Sequence, residues 1–154
     1  MNAASGANTT LSAPLSHINV HIRDGAALLL HEKPAYTIEE TRREPYALLV
    51  SLAPTDGSAF GTTYIDDGIS NPPGPSSTLT IHAIHGKVTI TRRGTFNIEQ
   101  ILGAITLLGV QRKPTHVLIN GKALGEWTYL APQAKVVVQN ITVNLNNRVT
   151  ITWT

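Results

Sequence analysis

Apolar and polar residues alternate along most of this chain with the period of two that marks half-buried strands. Ile18-Asn19-Val20-His21-Ile22 alternates in this way. Asp24-Gly25 then supplies a turn before the more continuously apolar Ala26–His31. Ala47–Leu52 reads as a buried strand, Pro54–Ser58 as a turn, and Phe60–Ile65 as a strand leading into a polar loop. Further on, Thr78–His82 and Lys87–Thr91 alternate cleanly around a His85-Gly86 turn. Val117–Ile119 ends in Asn120-Gly121, the dipeptide suited to a type I′ hairpin because both positions tolerate φ > 0. Lys135–Val138, Ile141–Leu145 and Val149–Trp153 close the chain, with Asn146-Asn147 as the turn before the last strand.

Two segments depart from this rhythm. Thr37–Arg43 predicts a short helical turn: Thr37 and Glu40 have capping-box spacing, Glu39 stands four residues before Arg43, and Pro45 ends it. In Phe96–Val110 the residues Ile98, Ile101, Leu102, Ile105 and Leu108 fit a helical face, whereas Gly103, Gly109 and the β-branched residues favour a strand. Its neighbours are strands, so strand is the expectation. Many short strands with a turn signal every ten residues or so predict an all-β fold, an antiparallel β-sandwich. Residues 1–16 are small and polar and are expected to form a flexible lead-in, with one β-sandwich domain over 17–154.

Composition narrows the function classes. Only 14% of residues are charged while 42% are hydrophobic, which is the profile of a folding chain and not of a disordered one. A formal charge of +2, with the basic pairs Arg42-Arg43 and Arg92-Arg93 isolated from aromatics, argues against a nucleic-acid partner. No apolar run reaches the length of a membrane span. Without cysteine there is no disulfide framework, thiolate metal site or thiol nucleophile. Met1–Leu15 has neither a basic n-region nor an apolar h-region. If Met1 is the native start, the expectation is a cytoplasmic or non-classically secreted protein, and the sequons Asn8-Thr9-Thr10 and Asn140-Ile141-Thr142 matter only on export.

The chemistry-bearing residues are few. His17 and His21 would share a strand face about 13 Å apart, too far for one zinc, and His82 and His85 lack a third ligand. No metal site and no cofactor is expected. There is no G-x-S-x-G motif, phosphate-cradling glycine loop or Ser-His-acid set, so no catalytic residue is assigned. The most suggestive group is Asp66-Asp67-Gly68, at the end of a strand and the start of the loop Ile69–Pro75. Adjacent carboxylates on extended chain point to opposite sides, which disfavours the acid and nucleophile pair of a glycosidase. Three readings stay open for the turn. The carboxylates accept loop N–H groups in an Asx-type turn, or help hold a calcium ion, or accept sugar hydroxyls together with Asn71. For a sugar, Trp127 and Tyr129 are the candidate stacking platform, since their spacing puts both rings on one strand face; packing into the core is the alternative for that pair.

A family resemblance rests on several motifs in order. Val20-His21-Ile22-Arg23-Asp24-Gly25, Leu28–Leu30, His31-Glu32-Lys33-Pro34-Ala35, Thr41-Arg42-Arg43 and Ala47-Leu48-Leu49-Val50 resemble the C-terminal part of fungal glycoside hydrolase family 31 α-glucosidases. So do Gly61-Thr62-Thr63-Tyr64-Ile65-Asp66-Asp67-Gly68, Leu107-Leu108-Gly109-Val110 and the closing strands. The resemblance spans about residues 17–154. It implies β-sandwich domains beyond a catalytic barrel, with residues 18–52 resembling the last strands of a proximal sandwich and the rest a distal one. It also implies that the nucleophile and acid lie in a barrel this chain does not match, and that the Asp-Asp-Gly turn is structural. Two function classes follow: a lectin-like carbohydrate-binding protein without catalysis, and a structural accessory fragment of an α-glucosidase. Leftover sheet edges predict a homodimer paired edge to edge.

Overall fold

The computed structural model describes residue 8 and residues 10–154. Of the lead-in expected over 1–16, residues 1–7 and 9 lie outside the described residues, and so does part of the first sequon. The elements are β1 (Ala26–His31), α1 (Ile38–Arg43), β2 (Tyr46–Ser51), β3 (Ala59–Ile65), β4 (Ser77–Ile84) and β5 (Lys87–Gly94). They continue with β6 (Ile101–Leu108), β7 (Val117–Ile119), β8 (Lys122–Ala123), β9 (Thr128–Leu130), β10 (Lys135–Val138), β11 (Val143–Asn144) and β12 (Val149–Trp153). A 3₁₀ turn, Ala131–Gln133, separates β9 from β10.

The fold is all-β, as the alternation predicts. Its strands follow one path, β8-β7-β12-β5-β4-β3-β1-β2-β6-β10-β9, with β11 on the flank of β6. Most pairings are antiparallel. The two exceptions to the expected antiparallel arrangement are β2, which runs parallel to β6, and β1, which meets β3 in parallel. The β1–β3 junction is a single residue pair, Ala26 beside Phe60. Gly61 makes this close approach feasible: a Cβ there would fall 1.9 Å from the Ala27 carbonyl oxygen.

That narrow seam divides the path into two layers over one core. Leu79, Ile81, Val88, Ile90, Val117 and Ile151 come from the β3-to-β8 side. Leu48, Val50, Leu102, Ile105, Leu107 and Val136 come from the other side and join the same buried cluster. The strands at the two ends of the path, β8 and β9, are separated in sequence only by residues 124–127. The five Cα–Cα steps from Ala123 to Thr128 span at most about 18 Å, so the sheet must curl until its ends are close.

The turns and the helix form where their local signals stand. His85 (φ +47°) with Gly86 (φ +72°), and Asn120 (φ +50°) with Gly121 (φ +79°), both adopt the left-handed conformations of type I′ hairpins. The capping box closes α1, with Thr37 Oγ1 accepting from the Glu40 amide at 3.1 Å and Glu40 Oε2 accepting from the Thr37 amide at 3.2 Å. Arg43 pairs with Glu39 as the spacing predicts. The ambiguous segment is strand at Ile101–Leu108, and its beginning is held differently. The Asn146 side chain accepts from the Ile98 amide at 2.9 Å and donates to the Ile98 carbonyl at 2.7 Å, pinning a buried residue across the sheet.

One expected strand does not form. Ile18–Ile22 has no ladder partner among the described residues, and Ile18 and Val20 are 89% and 87% exposed. Alternation prescribes a face to bury but supplies no neighbour. With no strand here, the expected shared face of His17 and His21 lapses as well. Of Ile141–Leu145, only Val143–Asn144 is paired, against β6. No helix among the described residues is long and apolar enough to cross a membrane.

Candidate functional site: the acidic turn and its groove

β3 ends at the buried Ile65, and the chain leaves the sheet with Asp66 and Asp67. Each carboxylate accepts an amide two residues on, as short acidic side chains do in Asx turns. Asp66 Oδ1 accepts from Gly68 N at 2.8 Å. Asp67 Oδ1 accepts from Ile69 N and Ser70 N, both at 3.1 Å, and Asp67 Oδ2 accepts from the Ser70 hydroxyl. The hydroxyl and the two amides stabilise the ionised form, so the Asp67 pKa falls to about 2.

Arg42, in the last turn of α1, ties the helix to this loop. Its guanidinium donates to the Asp66 carbonyl oxygen and lies 3.7 Å from Asp66 Oδ1. Gly68, at φ +69°, leaves the room for it, since a Cβ there would fall 1.4 Å from Arg42 Nη1. Between α1 and the loop lies an open groove of about 610 Å³, within the range of small-molecule sites. Asp66 and Asp67 line it together with Arg42, Arg43, Phe96 and Gln100.

The structure does not assemble all the sequence-predicted site residues. Asp66 and Asp67 share the groove; Asn71 is exposed on the loop and Trp127 and Tyr129 lie elsewhere. Tyr129 is in β9, at the far end of the path, with β1, β2, β6 and β10 between it and β3. Trp127 precedes β9, so the expected common strand face does not reach it; both rings pack against the core cluster. The Tyr129 hydroxyl donates to the Val110 carbonyl at 3.0 Å. Arg42 and Phe96 escaped sequence reasoning. Arg42 could have been found from its place beside Arg43: only one of two adjacent arginines can meet Glu39 at i,i+4, which leaves the other for a distant acceptor.

As chemistry, the turn offers little for catalysis. Both Asp67 oxygens and one of Asp66 are bound by their own loop or held beside Arg42. No cluster of three or more His, Asp or Glu side chains among the described residues is arranged to hold a metal ion.

Comparison with known proteins agrees with this picture. No family model matches the chain. An α-glucosidase of Candida tsukubaensis is 40% identical over 139 residues, which cover 90% of this chain and 13% of that protein. An α-glucosidase of Aspergillus niger is 37% identical over 147 residues, covering 92% of this chain and 15% of that protein. The chain thus spans about one-seventh of the length of these relatives. Among solved structures, a glucosidase II α subunit superposes with a TM-score of 0.73 at 21% identity, over 94% of this chain and 18% of that one. A Flavobacterium johnsoniae family 31 dextranase gives a TM-score of 0.68 at 16% identity, over 93% and 20%. At such identities these two speak for the fold alone. By sequence, the chain corresponds to the barrel-free C-terminal β-sandwich region of fungal family 31 α-glucosidases.

Proposed function

We propose that the chain acts as a structural accessory region of a family 31 α-glucosidase, supporting a catalytic barrel and contributing no catalytic residue itself. The observation that carries this reading is the extent of the match: nearly the whole chain aligns, with only 13–15% of each α-glucosidase. The acidic turn supports it, because its carboxylates are spent on holding a loop and a helix. The experiment replaces the matching segment of the Aspergillus niger α-glucosidase with this chain. An active, soluble chimera is the expected result, while the chain alone leaves a chromogenic α-glucoside intact. Turnover by the chain alone would overturn the non-catalytic assignment.

Carbohydrate binding is the second reading, favoured by the groove, where Asp66, Arg43 and Gln100 offer acceptors and donors beside the Phe96 ring. A glycan array decides it, and no bound sugar at millimolar ligand rejects it. A homodimer through sheet edges is the least supported partner. The end strands β8 and β9 are two and three residues long, and an edge that short gives few ladder bonds. Light scattering that shows a monomer removes it.

A further inference from the structure

The outward side of β2 and β1 is apolar, and that of β3 carries two aromatic rings with Thr62 between them. Ala27, Leu48 and Val50 point into the core, so their neighbours Leu28, Leu30, Ala47 and Leu49 point away from it. Pairing sets Leu28 opposite Leu49 and Leu30 opposite Ala47. The Ala26–Phe60 pair brings Phe60 and Tyr64 to the same side. Leu28 and Leu30 are 43% and 44% exposed, and Phe60 and Tyr64 are 57% and 58% exposed. Single exposed apolar side chains are ordinary; a set spread over the fully paired strands β1 and β2 and carried on to Phe60 at the Ala26–Phe60 pair marks an interface.

Within the same sheet, the outward positions next door are built for water. Thr80, Thr89, Thr91 and Thr150 face outward over β4, β5 and β12, and the one large apolar side chain there, Ile84, stands at the end of β4. The strands that carry leucine and aromatic side chains are therefore shaped by something other than solvent.

We infer that this face is one half of a second packed interface, and that its occupant is an apolar-faced β-layer from the remainder of a family 31 polypeptide. Two observations name that occupant. Ile18–Ile22 has strand alternation, no ladder partner among the described residues, and runs by way of Gly25 directly into β1, the central strand of the face. The relatives that match this chain carry most of their length outside the matched segment. The inference rests on the accessory reading and specifies its docking surface.

The test uses Leu28→Thr, Leu30→Thr, Phe60→Thr and Tyr64→Thr together, which recreates the threonine pattern of the neighbouring strands. In the isolated chain, the unchanged protein binds the dye ANS and the variant loses most of that signal, with its urea midpoint held. In the Aspergillus niger chimera, the variant shortens the thermal-inactivation half-life roughly tenfold relative to the unsubstituted chimera. An active unsubstituted chimera whose variant is equally long-lived overturns the docking surface and leaves the accessory role intact. An inactive unsubstituted chimera overturns both. No ANS binding by the unchanged chain also overturns the exposed face, whatever the chimera does.

Discussion

Over β4, β5 and β12 the outward positions are threonines, His82 and the basic side chains Lys87 and Arg93, with Ile84 at the end of β4 the one large apolar side chain, whereas over β2, β1 and β3 most are leucines and aromatics, with Thr62 between the two rings. The two regions share a sheet, a core and the same alternation. Inward positions cannot tell them apart, since both contribute Leu, Ile and Val to one cluster. The difference lies wholly in what each region shows to its surroundings. A strand's inward residues report the fold, and its outward residues report the company the fold keeps.

The apolar region has a seam of its own, where Gly61 of β3 passes the Ala27 carbonyl of β1. Gly61→Ala places a methyl group against the Ala27 carbonyl and is expected to cost about 3 kcal/mol, the upper end for overpacking. Urea unfolding measures it, and an unchanged midpoint would mean that the seam is not needed. Asn146→Ala removes two bonds to the Ile98 backbone beneath both regions, for an expected loss of about 2 kcal/mol. It should leave ANS binding of the apolar face unchanged below the transition; altered binding would show that the two regions are coupled.

The reciprocal exchange is gentler. Thr80→Val with Thr91→Val should move stability by no more than about 0.5 kcal/mol while raising ANS binding on the formerly polar side. No gain in dye signal would break the contrast. The smallest effect belongs to the acidic turn. Asp67 has a folded-state pKa depressed to about 2, so its ionisation stabilises the fold above the ordinary carboxylate range of about 4. That contribution fades as pH falls from about 4 to 2. Asp67→Asn should remove this slope from the melting temperature in that window and leave both outer faces alone; an unaltered slope would assign it to other carboxylates.

Much of this was legible in the sequence because it is local. The type I′ turns, the capping box and the inward rows follow from dihedral preference and period, and each needs only a few adjacent residues. The Asx turn at Asp66 and Asp67 is equally local. The parallel pairing of β2 with β6 is not, nor is the seam at Gly61, because both join segments far apart in the chain. Ile18–Ile22 failed for that same reason: its pattern is right and its partner is a long-range matter. The sugar-site expectation split on topology, since sequence spacing placed Trp127 beside Tyr129 and had no means of measuring either against Asp66.

The link between β8 and β9 has a practical consequence. Gly125 sits in it with nothing within 4 Å of where a Cβ would stand, and a longer loop adds closure cost only logarithmically. A reporter peptide grafted at that position would sit where the curled sheet meets itself. It would give an optical handle on whether the two layers breathe apart while every strand stays intact.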